Sequence, residues 1–265
     1  MEEYIIDNDS KKFHLIGIGG ISMSAIAQML KDEGNIVTGS DKSESKQVKI
    51  LRDKGIDVTI GHDISKVSDA DIVIYTAAIP DEDIELVEAR KLEKDIYERA
   101  EYLGILIRQY KNSIGVAGTH GKTTTTSMIS NIFLKAGINP TIQVGALLKE
   151  LNSNYNIGTD DIFIFESCEY KDSFLNFYPT STVITNIDQD HMEYFKTLEN
   201  ILISFKKYIM NIQRNGKIYI NMDDENSKEV LEYAQYNRKD LDIITFGVEN
   251  DKAKYQAKDI EYVEN

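Results

Sequence analysis

The chain has 265 residues, more than the roughly 100–200 of a typical single domain, and 42% of them are hydrophobic. Two domains with buried cores are therefore the default expectation. The 44 acidic and 30 basic residues give a net charge of −14, which disfavours nucleic acid as a main partner because its phosphates would be repelled.

The N-terminus shows no signal-peptide pattern, and the single cysteine excludes an internal disulfide bond. Apolar runs are all well short of the roughly 18 residues that a membrane span requires. We therefore expect a cytoplasmic protein without membrane insertion. The sequence leaves its oligomeric state open.

The first part of the chain alternates predicted strands and helices. Strands are predicted at residues 13–18, 36–40, 56–60 and 71–75, and helices at 46–54, 81–94 and 100–110. Another helix follows the first strand, because Ile21, Ala25 and Met29 recur at four-residue spacing. This alternation predicts an α/β fold with an N-terminal Rossmann-like parallel sheet domain, residues 1–108.

The second part repeats the alternation. Strands are predicted at residues 113–117, 141–144, 162–165, 182–185, 217–221 and 242–246, and helices at 122–135 and 198–214. We interpret residues 109–265 as a P-loop α/β central domain. The polar tail at 248–265 has no clear terminal element, so we expect the chain to end inside a domain.

A glycine loop with a lysine at its end follows the strand at 113–117. It reads Gly118-Thr119-His120-Gly121-Lys122-Thr123. Backbone N–H groups of such a loop can point at phosphate oxygens, and the helix N-terminus and lysine add positive charge. The spacing is shorter than in the common phosphate loop, whose first glycine would fall at Val116. The loop predicts a nucleoside triphosphate site with Lys122 as its cation and Thr123 as a Mg²⁺ ligand.

An acidic residue ends the strand at 162–165. Glu166 occupies the position at which phosphate-loop enzymes hold Mg²⁺ with a carboxylate, so it is a predicted metal ligand. Glu169 either supports the same site or faces solvent, and the sequence favours neither.

A histidine follows the strand at 182–185. His191 would bind Mg²⁺ or a phosphate if Asp188 or Asp190 orients its ring. An isolated histidine in a loop often has no such role, but ligands of open parallel sheets bind where strands end. Both interpretations stay open at this point.

An earlier glycine turn follows the first strand. Gly17, Gly19 and Gly20 allow the backbone to approach a diphosphate, and Asp41 at the end of the next strand is placed to accept hydrogen bonds from a ribose or base. The pattern fits any nucleotide diphosphate, and a purely structural glycine turn remains an alternative.

Four motifs together resemble those of the Mur ligases. They are residues 14–24, residues 78–80 with 99–101, the loop at 118–126 and residues 185–192. The resemblance spans the whole chain. It implies an ATP- and Mg²⁺-dependent ligase of peptidoglycan synthesis, which activates the carboxylate of UDP-N-acetylmuramate as an acyl phosphate and joins it to the amine of L-alanine.

The resemblance also implies roles for individual residues. Lys122 would stabilise the transferring phosphate, Thr123 and Glu166 would hold Mg²⁺, and His191 would help to bind a second Mg²⁺. The implied ATP-binding residues are Gly118, Thr119, His120, Gly121, Lys122, Thr123 and Thr124. The implied UDP-substrate residues are Gly17, Gly19, Gly20, Ser22 and Asp41, with His120 and Asn186 at the acyl end.

Two features depart from the family pattern. Many relatives have Ala-Asp-Glu-Ser-Asp where this chain has Ser167-Cys168-Glu169-Tyr170-Lys171. Mur ligases also have a third, C-terminal domain, and nothing after Asn265 supplies it. We therefore expect a fragment that binds nucleotides with little or no turnover of its own.

Three other functions compete with this interpretation. The first is a related Mur-type amide ligase, such as one that recycles peptides onto UDP-N-acetylmuramate. The second is a non-catalytic nucleotide-binding module. The third is a nicotinamide dehydrogenase, which is disfavoured because hydride transfer has no use for Lys122 and Thr123.

Overall fold

The computed structural model describes residues 10–148, 151 and 153–261, which divide into two compact units. Among the described residues, the first unit comprises 10–103 and Ser153–Ile157, and the second comprises the rest. The division falls within one helix, Arg99–Arg108. The domain limits at 108 and 109 therefore stay a prediction.

The first unit contains a five-stranded parallel sheet. Its strands are β1 (Lys12–Ile16), β2 (Ile36–Asp41), β3 (Asp57–Ile60), β4 (Ile72–Tyr75) and β5 (Asp95–Glu98). The helices are α1 (Ile21–Asp32), α2 (Lys46–Asp53), α3 (Ile64–Asp69), α4 (Ile84–Lys91) and α5 (Arg99–Arg108). The strand order β3-β2-β1-β4-β5 confirms the predicted Rossmann-like sheet. The loop after β1 lies where the order reverses, which is where such folds bind ligands.

The helix after β1 is buried along most of its length. Ala25 and Met29 are almost fully buried, as their spacing predicts, but Ile21 is 47% exposed because it is the first helical residue. Helix α4 begins at Ile84 rather than at residue 81, because the Asp83 carboxylate accepts hydrogen bonds from the Glu85 and Leu86 N–H groups and so caps it.

The second unit is built on a larger sheet, in which the strands of this unit run parallel to their neighbours. Its strands are β6 (Asn112–Ala117), β7 (Thr141–Leu148), β9 (Ile162–Glu166), β10 (Ser181–Ile184), β11 (Lys217–Asn221), β12 (Asp242–Gly247) and β13 (Tyr255–Gln256), while β8 (Ser153–Asn156) groups with the first unit. The helices are α6 (Lys122–Lys135), α7 (Met192–Phe195), α8 (Leu198–Asn211) and α9 (Glu225–Asn237), with a 3-10 helix at Tyr170–Asn176. The order β13-β12-β11-β10-β6-β9-β7 places β6 between β10 and β9. The predicted P-loop α/β architecture is confirmed.

Sequence patterns missed α3 and β5 of the first unit and α9 of the second. Helix α9 has a polar surface, and its apolar side is only Val230, Leu231 and Ala234. The Asp224 carboxylate caps it by accepting a hydrogen bond from the Ser227 N–H at 2.7 Å. The tail also pairs as a short edge strand, β13, where no element was predicted.

Within the described residues, no helix combines the length and apolar character needed to cross a membrane.

Candidate nucleotide-binding sites

The loop between β6 and α6 has a backbone that only glycine adopts easily. Gly118 has φ +135°, and a Cβ there would lie 2.1 Å from Thr185 Oγ1. Gly121 has φ +81° and is the N-cap residue of α6, but a Cβ there would meet no atom within 4 Å. Gly118 is therefore required by both conformation and space, whereas Gly121 is required by conformation alone.

The ammonium group of Lys122 lies against its own loop. It donates to the carbonyl oxygens of Gly118 at 2.6 Å and Thr119 at 3.1 Å and to Glu169 Oε1 at 3.1 Å. Three acceptors match the three N–H groups of an ammonium. The Glu169 side chain is 2% exposed, so the structure decides the question that the sequence left open: Glu169 supports the loop rather than facing solvent.

Asn186, which follows β10, holds the loop from its other side. Its side-chain amide accepts from the His120 N–H and donates to the His120 carbonyl oxygen, both at 2.9 Å. Its own carbonyl oxygen accepts from the Thr119 N–H at 3.0 Å. The His120 ring stays exposed, with Nε2 3.8 Å from Asp188 Oδ2. Asn186 thus shapes the loop, and its predicted contact with the acyl end of a substrate stays a prediction.

Glu166 lies at the end of β9, half-buried beside β7. Its Oε1 accepts a hydrogen bond from the Gly145 N–H at 2.7 Å. A Cβ at Gly145 would lie 3.2 Å from Glu166 Oε2, so the glycine lets β7 approach the carboxylate closely. Because β6 and β9 are neighbours, Glu166 and the loop lie at the same edge of the sheet.

A buried hydroxyl network fixes the strands below this edge. Tyr208 is fully buried, and its hydroxyl lies 2.9 Å from Ser167 Oγ and 2.7 Å from Thr182 Oγ1. Burial raises the pKa of Tyr208 to about 12. Gly115 leaves room for this network, because a Cβ there would lie 2.6 Å from Ser167 Oγ. The network therefore joins α8 to β10, to Gly115 of β6 and to the residue that follows β9.

His191 joins a cluster of candidate metal ligands. Glu169, Asp190 and His191 each offer a ligand atom, and these atoms lie within 4.8 Å of one another. The His191 ring packs against Tyr170 with the ring centroids 4.5 Å apart. Of the predicted metal ligands, His191 belongs to this group and Glu166 does not.

The residues of this cluster fit a hard cation. Glu169 Oε2 is buried and has no hydrogen-bond partner, although the Lys122 ammonium lies close to it. The carboxylate oxygens of Glu169 and Asp190 are ligands of the kind that suits Mg²⁺. Thr123 is half-buried in the first turn of α6.

The glycine turn of the first unit is held by a carboxylate. The Gly19 N–H donates to Asp41 Oδ2 at 2.8 Å, and the Ser43 N–H donates to Asp41 Oδ1 at 3.2 Å. A Cβ at Gly19 would lie 2.8 Å from the same Oδ2, and Gly17 needs φ +78°. Asp41 thus holds the glycine turn through Oδ2 and its own loop through Oδ1, and its predicted contact with a ribose or base stays a prediction.

A cavity of about 650 Å³ opens beside this turn. Four of the five predicted UDP-substrate residues of the first unit line it: Gly17, Gly19, Gly20 and Asp41. Ser22 is not among the lining residues; its hydroxyl lies 3.4 Å from Arg99 Nη1. The volume lies within the roughly 300–1,000 Å³ of small-molecule pockets.

Sequence reasoning missed a group of charged residues on the wall of this cavity. His62, Asp83 and Glu85 line it, and Glu85 is fully buried. Glu85 also faces His14 of β1, whose Nε2 lies 3.4 Å from Glu85 Oε1. A histidine inside an apolar strand was the one signal in the sequence that pointed to a buried partner.

Comparison with known proteins agrees with both halves of this description. The family model described as the Mur ligase middle domain matches residues 116–265, and the model described as Mur ligase family, catalytic domain, matches residues 12–111. The chain belongs to the Mur ligase family.

Individual relatives are similar over most of the chain. The UDP-N-acetylmuramate–L-alanine ligase of Caldicellulosiruptor saccharolyticus is 55% identical over 226 residues, covering 85% of this chain and 50% of that protein. The crystal structure of MurC, UDP-N-acetylmuramate-alanine ligase, from Thermotoga maritima has 32% identity and a TM-score of 0.77, covering 91% of this chain and 53% of that one.

A second kind of ligase is also similar in structure. The UDP-N-acetylmuramate:L-alanyl-gamma-D-glutamyl-meso-diaminopimelate ligase of Neisseria meningitides has 25% identity and a TM-score of 0.80, covering 90% of this chain and 78% of that one. The chain spans about half the length of the curated relatives it matches.

Proposed function

We propose that this chain forms the nucleotide-binding parts of an ATP-dependent amide ligase of peptidoglycan precursor synthesis. The reaction would activate the carboxylate of UDP-N-acetylmuramate as an acyl phosphate, which the amine of L-alanine then attacks. The observation that carries the proposal is the ion pair of Lys122 with the buried Glu169 at a glycine loop, with Glu166 at the end of the neighbouring strand β9, because a cation and carboxylates at a glycine loop suit phosphoryl transfer.

The residues of the second unit would act mainly by position and charge. Lys122 would donate to the transferring phosphate, which would replace one of its three present acceptors. Thr123 and Glu166 would hold Mg²⁺, and His191 with Glu169 and Asp190 would hold a second ion. Bound Mg²⁺ supplies neutralisation of the phosphate charge. Asn186 would keep the loop in shape through the His120 backbone.

The residues of the first unit would bind the UDP part of the substrate. Gly17, Gly19 and Gly20 form one wall of the cavity and Asp41 stabilises their turn, while Ser22 lies in the first turn of α1. The cytoplasm is the expected location, because both proposed nucleotide substrates are found there.

Binding of two separate nucleotides is the test of this proposal. The chain is titrated calorimetrically with UDP-N-acetylmuramate and, separately, with ATP and Mg²⁺, for the wild type, Lys122→Ala and Lys135→Ala. Lys135 is the matched control because it lies in the last turn of the same helix. We expect both ligands to bind the wild type and Lys122→Ala to lose about 10- to 100-fold in ATP affinity only, as for one charge-assisted hydrogen bond.

Two results would contradict the proposal in different ways. Binding of ATP without the UDP-sugar would leave a nucleotide-binding module. Equal ATP affinity in the two lysine variants would remove Lys122 from the site. Binding is the readout because the chain spans about half the length of its relatives.

A peptide-recycling ligase is the second candidate, because a ligase of that kind has a TM-score of 0.80 with this chain. It would use the same UDP-sugar and a peptide amine in place of L-alanine. Both candidates therefore predict the same two titrations. Competition between L-alanine and L-alanyl-γ-D-glutamyl-meso-diaminopimelate in the ligation reaction of the full-length protein separates them.

A further inference from the structure

A fully buried carboxylate lies in the wall of the first unit's cavity. Glu85 is 0% exposed and accepts hydrogen bonds from Ser40 Oγ at 2.5 Å and from the Asp63 N–H at 2.7 Å. Burial raises the pKa of Glu85, but the nearby His14 ring and the hydrogen bonds from Ser40 and Asp63 outweigh that effect and hold the pKa below its usual value. Glu85 is therefore a buried anion at neutral pH, an arrangement that is costly unless its partners compensate it.

One partner of Glu85 reaches the cavity. His62 is 47% exposed and lines the cavity, and its Nδ1 lies 3.4 Å from Glu85 Oε2 and 3.8 Å from Asp83 Oδ2. Among the residues that the structure describes, His62 Nε2 has no hydrogen-bond partner. The other charged groups on the cavity wall are Asp41 and Lys42.

The two carboxylates determine which nitrogen of His62 carries the proton. A neutral imidazole has one N–H, and the hydrogen bond at one nitrogen sets the role of the other. Carboxylates accept hydrogen bonds and cannot donate them, so Nδ1 beside Glu85 and Asp83 is the nitrogen that keeps its proton. Nε2 then has a free lone pair, which accepts a hydrogen bond from an N–H or O–H group.

We propose that Glu85 is a positioning residue of this cavity: it holds the His62 proton on Nδ1, so that Nε2 accepts a hydrogen bond from the nucleoside part of a bound nucleoside diphosphate. This inference rests on the proposed function, because it requires the cavity to bind such a ligand. It adds to that function a pair of residues, Glu85 and His62, that would act together in recognition.

A double-mutant cycle tests whether Glu85 acts through His62. UDP is titrated calorimetrically into the wild type, Glu85→Gln, His62→Ala and the double variant. We expect each single variant to weaken UDP binding about 3- to 10-fold, as for one hydrogen bond, and the double variant to bind like His62→Ala. Glu88→Gln is the matched control, because Glu88 lies on α4 but does not line the cavity. It should bind UDP like the wild type.

A second measurement reads the proton directly. The chain has four histidines, so the ¹⁵N signals of His62 can be assigned by their absence in His62→Ala. We expect the wild type to carry the proton on Nδ1, and Glu85→Gln to move a substantial fraction of it to Nε2. A purely structural role of Glu85 would leave this equilibrium unchanged.

The outcomes separate this inference from the proposed function. If the wild type binds UDP but Glu85→Gln weakens binding by the same factor with and without His62, the positioning role is overturned and the proposed function stands. A proton on Nε2 in the wild type overturns it as well, and this measurement decides the matter if Glu85→Gln does not fold. If the wild type binds no UDP, the nucleotide-binding role of the first unit fails, and this inference fails with it.

Discussion

The chain turns from a strand into a helix through glycines in both units, and the two turns are stabilised differently. In the first unit the Asp41 carboxylate accepts the Gly19 N–H, and α1 has no cation in its first turn. In the second unit the neutral Asn186 side chain holds the loop, and Lys122 is the first residue of α6. A negative group already lies against the amides of the first turn, whereas a positive group lies at the second.

This difference supports the proposal that two similar backbones bind two different nucleotides. A turn with its own carboxylate is less attractive to a highly charged phosphate chain, so the first unit suits a ligand recognised largely through its nucleoside. A loop with a cation and nearby carboxylates suits a triphosphate and its metal ions. Glycine motifs alone do not distinguish the two turns; the charged residues around them differ.

The largest effect is expected from Gly118→Ala. The strained φ and the contact with Thr185 Oγ1 should together lower the free energy of unfolding by about 4 kcal/mol. Gly137→Ala is the control, because Gly137 has φ +78° with open space around a Cβ and should cost about 1 kcal/mol. Urea unfolding of both variants checks this prediction. Equal losses in the free energy of unfolding would show that the contact with Thr185 Oγ1 adds no cost.

Lys122→Ala should have the next largest effect on stability. It leaves Glu169 buried without its cation, which should lower the free energy of unfolding by about 3 kcal/mol. The double variant Lys122→Ala with Glu169→Gln should recover most of this stability without recovering ATP affinity. Thermal unfolding and ATP titration of the three proteins measure the two effects, and UDP affinity should not change. Recovery of ATP affinity in the double variant would contradict the binding role of Lys122.

Asp41→Asn should affect the first unit only. Asparagine has one acceptor oxygen in place of two, so either the Gly19 or the Ser43 N–H loses its acceptor. We therefore expect a loss of about 1–2 kcal/mol in stability and a several-fold loss in UDP affinity. Asp71→Asn is the control, because Asp71 accepts the Lys12 N–H at the opposite end of β1. It should leave UDP affinity unchanged. An effect of Asp41→Asn on ATP affinity would argue against two separate nucleotide sites.

The smallest effect at neutral pH is expected from Tyr208→Phe, about 1 kcal/mol for its lost hydrogen bonds. Burial raises the pKa of Tyr208 from 10.0 to about 12, so its protonated form is favoured in the folded state. The contribution of the protonated phenol to the free energy of unfolding is therefore fully present below pH 10. It is lost as the pH rises to about 12, by about 1.4 kcal/mol per pH unit.

Unfolding of Tyr208→Phe and the wild type between pH 9 and 12 measures this slope. The phenylalanine variant should lose less stability over that range. Tyr236→Phe, at a residue that is 79% exposed, should follow the wild type. If the difference in free energy of unfolding between the wild type and Tyr208→Phe does not change with pH, the Tyr208 phenol does not ionise on unfolding.

Most of the fold was predictable from the sequence. Strands such as β6 and β9 are apolar runs between turns, and α6 follows its glycines directly, so their patterns are local. Helix α9 was missed because its apolar side has only three residues and its surface is polar. The added length of β7 and the edge strand β13 depends on pairing with neighbours, which local patterns do not reveal.

The candidate sites were predictable where their residues are close in the sequence. Residues 118–123 carry a strand end, a loop and a helix start in one stretch, so their chemistry can be interpreted without a structure. Glu169 could not be assigned that way, because its burial and its contact with Lys122 depend on the order β9-β6 and on the path of the chain after Glu166.

By itself, the sequence determined the strand–loop–helix units, their glycines and the family, because each is encoded in contiguous residues whose periodicity and size set the backbone. Only the tertiary structure decided the pairings: Lys122 with Glu169, Asn186 with the His120 backbone, and His62 with Glu85. The physical reason is that strand order and side-chain direction bring together groups that are distant in the chain, and no local pattern of residues encodes such contacts.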